Sequence, residues 1–135
     1  MRYLGKRMPE LYGARTAAEL DALCMAHADE HRYALEILYS SNEGPVIDRI
    51  YDRLDESRLD GLVMNPASFI HNGHGLRACV QAIPVPYIEV HMTNIDARGF
   101  KSLLAPHSVG VIAGFGIDSY TMALDQMARL LQRQG

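Results

Sequence analysis

The sequence predicts an α/β layer fold with a mostly parallel sheet. Segments with helical hydrophobic spacing alternate with short strand-like apolar runs along the chain. Those runs close on polar or glycine turns, and no internal repeat or low-complexity linker interrupts the alternation. With 135 residues there is chain enough for one domain with a core and too little for two. The chain is read as one domain over residues 1–135.

Residues 1–15 read as turns, because Gly5, Pro9 and Gly13 break any periodicity around Arg7, Glu10 and Tyr12. Thr16 and Glu19 have the spacing of a capping box. Leu20, Leu23, Cys24 and His27 then recur at helical spacing to about His31. Residues 33–39 alternate as a strand. After a polar turn, Pro45 suits the first turn of a helix whose apolar face is Val46, Ile47, Ile50 and Leu54. The apolar run 59–64 predicts a buried strand ending at Asn65-Pro66. A loop carrying His71 leads to a helix from about Gly75 to Gln81. Pro84 and Pro86 precede a strand that finishes in Glu89-Val90-His91, and residues 94–103 read as short helix or irregular chain. Residues 109–113 predict another buried strand, closed by Gly114-Phe115-Gly116. A last helix spans about Ser119 to Arg133, with Met122, Leu124, Met127, Leu130 and Leu131 apolar.

A formal net charge of −3 gives no reason to expect nucleic acid or an anionic membrane as partner. No apolar run approaches the length of a bilayer span, and Met1-Arg2-Tyr3-Leu4 is too short and polar for a signal peptide. Cys24 and Cys79 lack CxxC spacing and fall in predicted helices, so they read as buried thiols of a reducing cytoplasm.

In a parallel sheet, the positions after each strand share one edge, where ligands usually bind. That edge collects Asn65, Glu89 and His91, the amides of Met92 and Thr93, and the Gly114–Gly116 turn. Loops bring His71, Arg7 and Tyr12 toward it. No GxGxxG or GKS/T loop supports a nucleotide. His71 and His74 are three apart in a Gly-rich loop rather than on a helix, so neither metal nor cofactor is expected. Each residue also has a plain structural reading. Tyr12 could cover the core edge, Arg7 could be a solvated charge, Glu89 and His91 a structural ion pair, Asn65 a turn former and His71 an exposed ring. His27, His31, His74 and His107 read as structural or solvent-facing.

The segments Leu4-Gly5-Lys6-Arg7-Met8-Pro9-Glu10-Leu11-Tyr12-Gly13, Ser40-Ser41-Asn42-Glu43-Gly44, Asn65-Pro66-Ala67 with His71, Leu76-Arg77, Glu89-Val90-His91-Met92-Thr93-Asn94 with Ala97-Arg98, and Gly110 to Gly116 with Tyr120 resemble the type II 3-dehydroquinate dehydratases. They fall in the family's order and cover nearly the whole chain. The resemblance implies a flavodoxin-like three-layer sandwich, a homo-oligomer built from trimers into a dodecamer, and a hydro-lyase acting on a cyclic hydroxy-keto acid. It also implies roles. Tyr12 matches the base, and Arg7 the guanidinium that favours its phenolate, against a free phenol pKa of about 10. His91 matches the general acid and Glu89 its orienting partner. Asn65 and the amides of Met92 and Thr93 match the grip on the substrate carboxylate. His71 matches a ligand to a ring hydroxyl, Arg98 lines the site, and Lys101 stands near a second substrate-binding arginine.

The chain also departs from the family pattern. It begins inside the Leu-Gly-x-Arg segment, so the family's first strand and its Asn-Gly-Pro-Asn turn are expected to be missing, leaving a gap or a rearranged sheet edge. Ala78 stands where the family places an aspartate that reaches a neighbouring subunit. Lys101 lacks the bidentate fork of arginine. Three functions follow: a dehydratase of 3-dehydroquinate, a dehydratase of a related cyclic hydroxy-keto acid, or a non-catalytic oligomeric binding protein on the same fold.

Overall fold

The structure, a computed structural model, describes residues 17–134. Arg7, Tyr12 and Thr16 lie outside the described residues. Helix α1 spans Ala17–His31 and α2 spans Glu43–Asp55. Strand β1 (Leu62–Met64) is followed by a single-turn helix α3 (Phe69–Asn72) and by α4 (His74–Ala82). Strand β2 (Tyr87–His91), a 3-10 turn at Ala105–His107, β3 (Gly110–Ala113) and α5 (Asp118–Gln134) complete the order.

The three strands pair in the order β1-β2-β3, and both pairings are parallel. Met64 lies opposite Glu89, and His91 opposite Ala113, so all three carboxyl ends meet at one edge. Strand β2 is central, and each of its five residues is buried. Its side chains alternate between two cores. Tyr87 packs with Ile50 of α2 and with Leu76, Cys79 and Val80 of α4. Ile88 and Val90 pack with Ala123 and Met127 of α5. Helix α1 closes the α5 side through Leu20 and Cys24, which meet Leu124 and Met92. Helices thus cover both faces of a parallel sheet, the three-layer arrangement the alternation of periods predicts. Each fully buried Ile, Leu or Val here contributes about 1.5–3 kcal/mol by leaving water.

Helix spacing explains the helical contacts. Leu20, Cys24 and Ala28 of α1 lie four apart and form one buried stripe. In α2, Glu43 in the first turn and Arg53 in the last complement the helix dipole. Cys24 and Cys79 are free, buried and on opposite faces of the sheet. Burial raises both thiols, Cys24 to about 11, so neither is a reactive thiolate. No helix among the described residues is long and apolar enough to cross a membrane.

Four expectations need correction. Residues 33–39 form no strand ladder, although Tyr33, Leu35 and Ile37 alternate into the core beside α1. The alternation records which side chains face the core, whereas a strand also needs a partner for its main chain. Only Leu62–Met64 of the run 59–64 is strand, and it is half-buried because β1 has one sheet neighbour among the described residues. Strand β3 is not buried: Gly110 and Val111 are exposed, as is the flanking Val109. His71 sits on the short helix α3 rather than in a loop, because the Phe69, Ile70 and His71 amides bond the carbonyls of Pro66, Ala67 and Ser68.

Candidate active site

Tyr87, Glu89 and His91 occupy alternate positions of β2 and so share one sheet face. Their side chains form a continuous hydrogen-bonded line. The Tyr87 hydroxyl donates to Glu89 Oε1 at 2.8 Å. His91 Nε2 lies 2.8 Å from Glu89 Oε2. The Ser102 hydroxyl donates to Glu89 Oε1 at 3.0 Å, and its own oxygen accepts the amides of Leu104 and Ala105. Three donors therefore converge on a side chain with no solvent exposure, a set that suits an ionised carboxylate, which only accepts. The carboxylate fixes the proton on Nε2 and leaves Nδ1 as the nitrogen turned away from it. Burial, reinforced by the neighbouring Glu89 charge, pushes the Tyr87 phenol above its ordinary range, so it remains a donor.

Beyond β2 the main chain is held from the β3–α5 turn. The Gly114 amide bonds the His91 carbonyl at 3.2 Å, and the Gly116 amide bonds the Met92 carbonyl at 2.9 Å. Both glycines have positive φ, +98° and +61°, which a side chain rarely adopts. A peptide group is planar and trans, so its N–H points opposite to its carbonyl. The amides of Met92 and Thr93 accordingly face away from that turn. The Met92 side chain is buried against α1 and α5, so this position offers its backbone alone.

Asn65 follows β1 and is fixed on both ends of its amide. Its Oδ1 accepts the Ala67 amide at 2.9 Å, and its Nδ2 donates to the Tyr120 hydroxyl of α5 at 2.9 Å. The turn reading is therefore correct, and Ala67 takes a left-handed conformation with φ +50°.

The segment after β2 links the remaining candidates. Arg98 donates to the Thr93 hydroxyl at 3.1 Å, and its guanidinium lies 4.7 Å from the centre of the Phe100 ring. The Phe100 ring also meets His71, edge-on with centres 5.2 Å apart. Lys101 and His71 line a cavity of about 480 Å³ with Ile70, Arg77, Ser102, Leu103, Pro106 and His107. Among the described residues no carboxylate lines this cavity, which suits it to a ligand rich in oxygen acceptors. His91 and Asn65 are not among its walls; Ser102 joins it to Glu89. Ala78, on α4, is exposed and leaves this region without a carboxylate at that position.

Sequence reasoning identified Glu89, His91 and Asn65 at the edge, and missed three supporting residues. Tyr87 could have been found, because it extends the Glu89-His91 alternation by one step. Ser102 and Phe100 belong to irregular chain, where spacing carries no contact information.

Comparisons with known proteins agree with this architecture. The sequence model of the family described as Dehydroquinase class II matches residues 1–128. A 3-dehydroquinate dehydratase of Sinorhizobium medicae is 36% identical over 133 residues, spanning 96% of this chain and 88% of that protein. A protein of Neosartorya fischeri named catabolic 3-dehydroquinase 1 is 34% identical over 131 residues, spanning 95% of this chain and 86% of that protein. The crystal structure of the type II dehydroquinase from Propionibacterium acnes superposes with a TM-score of 0.86 at 30% identity, covering 93% of this chain and 88% of that one. A match of this length in sequence, with the same fold in space, places the chain among the class II dehydroquinases, a family of hydro-lyases.

Proposed function

We propose that this protein dehydrates 3-dehydroquinate to 3-dehydroshikimate through an enolate. Tyr12, as phenolate beside Arg7, takes a proton from the carbon next to the ketone, and the C–H electron pair becomes the enolate. The enolate then reforms the ketone, expelling the hydroxyl from the neighbouring ring carbon. His91, as an imidazolium whose Nε2–H is held by Glu89, gives its Nδ1 proton to that oxygen as it leaves and becomes neutral, so water departs and a C=C bond conjugated to the carbonyl remains. The single observation that carries this reading is the buried Glu89–His91 pair at the carboxyl end of β2, which commits one imidazole nitrogen and presents the other. In the same reading Asn65 and the amides of Met92 and Thr93 hold the substrate carboxylate, while His71, Arg98 and Lys101 address the ring hydroxyls. A trimer-based homo-oligomer and a cytoplasmic setting belong to the proposal as well.

The test is to incubate the full chain with 3-dehydroquinate and follow the absorbance of the conjugated enone. Turnover by the wild type, lost in Tyr12→Phe and lowered about 10²–10⁴-fold in His91→Ala, supports the proposal. No turnover at high enzyme concentration overturns it.

A second reading keeps the chemistry and changes the substrate. It is favoured by the exposed Ala78 and by Lys101 in the cavity wall, in place of groups that would pair with far ring hydroxyls. Each buried hydroxyl left unpaired costs about 1–3 kcal/mol. A higher kcat/KM on a cyclic hydroxy-keto acid lacking those hydroxyls than on 3-dehydroquinate supports this reading, and the reverse order rejects it.

A further inference from the structure

Away from the sheet edge, helix α1 packs against α5, and the seam between them carries His27, His31 and Asp125. His27 and His31 are four apart on α1, the spacing that puts two side chains on one helix face. Their rings stack with centres 4.1 Å apart. One donor atom from each of the three residues lies within 4.8 Å of the other two. His27 Nε2 stands 3.8 Å from Asp125 Oδ1, too far for a hydrogen bond. It is close to the separation of about 3.4 Å between two ligands of a tetrahedral zinc ion with bonds of about 2.1 Å.

The neighbours of the cluster orient it for a cation. His27 Nδ1 lies 2.7 Å from the Tyr33 hydroxyl. A phenol hydroxyl can accept an N–H through its oxygen. With Nδ1–H directed at Tyr33, the Nε2 lone pair faces Asp125, the arrangement in which a second partner fixes the tautomer of a metal-binding histidine. Arg129 Nε holds the other carboxylate oxygen, Oδ2, at 3.1 Å and leaves Oδ1 toward the imidazole. His27 is partly buried and His31 exposed, so an ion could enter from solvent with water completing its shell.

We propose that His27, His31 and Asp125 form a binding site for a divalent transition-metal ion of the zinc class. Two imidazoles and one carboxylate are borderline ligands that favour zinc or nickel over calcium or magnesium. The ion clamps the last turn of α1 to the middle of α5 and takes no part in the chemistry at the sheet edge.

The test is calorimetric titration of the metal-stripped full chain with zinc chloride, alongside thermal unfolding with and without the ion. Binding of one equivalent, with a rise in Tm, is expected for the wild type. His31→Ala alters an exposed side chain and is expected to fold; together with Asp125→Asn it is expected to weaken binding at least about tenfold. Tyr33→Phe is expected to weaken it about 10–100-fold with every direct ligand intact. His74→Ala, on the exposed surface of α4, is expected to change nothing. Absence of a one-equivalent transition, or binding unchanged in His31→Ala, overturns the proposal.

Discussion

The Tyr87 hydroxyl donates to the Glu89 carboxylate at 2.8 Å, two residues along the same strand, and neither side chain has more than 1% exposure. A buried carboxylate that loses a donor keeps its desolvation cost. Tyr87→Phe preserves the ring that fills the core between α2 and α4 and deletes the hydrogen bond alone. It is expected to lower folding stability by about 1–3 kcal/mol, measured by urea unfolding. Stability equal to wild type would show that Ser102 alone satisfies Oε1.

Replacing the carboxylate itself acts on the imidazole. In Glu89→Gln the negative charge that stabilises the imidazolium is lost, and an amide NH2 facing His91 Nε2 asks that nitrogen to accept, so the ring is driven to its neutral form and loses its fixed orientation. The kcat for dehydration is expected to fall about 10²-fold or more while KM changes little, since Glu89 is buried beneath the ring. Steady-state kinetics measure the split, and ¹⁵N shifts of the His91 ring report the tautomer. A rise in KM at unchanged kcat would place Glu89 in substrate binding instead.

Gly114 has φ +98°, and a side chain there would meet Asn94 at 3.5 Å. The contact is ordinary, so the cost of Gly114→Ala lies in the backbone, about 1–3 kcal/mol. Relief of that strain turns the Gly114 amide from the His91 carbonyl and tilts the Met92 peptide with it. Gly114→Ala is expected to raise KM several-fold, more than it lowers kcat. Kinetics on a variant whose fold is verified by circular dichroism distinguish this from unfolding, and an unchanged KM would detach the turn from the carboxylate grip.

Glu36 receives hydrogen bonds from Arg53 at 2.7 Å and Arg49 at 2.6 Å, and these hold its carboxyl down from 4.5 to about 2. A lowered carboxyl contributes stability that is present above the unfolded value and lost as pH falls through the folded one. The window therefore runs from about 4.5 down to about 2. Because the pair is solvent-exposed, salt is expected to shrink the effect. Glu36→Gln is expected to flatten the pH dependence of stability in that window, checked by urea melts at stepped pH in low and high salt. An unchanged slope would show that the arginine fork contributes nothing to folding.

The parts of this fold that were legible in sequence are those where one side-chain period decides the outcome. Alternation through residues 87–91 marked β2, and the helical spacing of Leu20, Leu23, Cys24 and His27 marked α1. Residues 33–39 show the limit, since the same alternation arises wherever extended chain lies along a core, with or without a neighbouring strand. The exposure of β3 was equally hidden, because an apolar strand reads alike whether both its faces are covered or one edge is open. At the site, the pairing of Glu89 with His91 follows from their two-residue separation. The contacts of Ser102 and of Phe100 arise from how irregular chain folds back over β2 and α3, and local sequence holds no period for that. Arg7 and Tyr12 lie outside the described residues, and their roles belong to the proposed function.

His91 is rooted in a strand whose five residues are all enclosed, and its ring is tied to a carboxylate that three donors hold. Freeing that ring would require opening the segment with the greatest expected protection from hydrogen exchange. In the proposed mechanism the proton donor is therefore a stationary post, and whatever approaches or withdraws during a catalytic cycle travels to it.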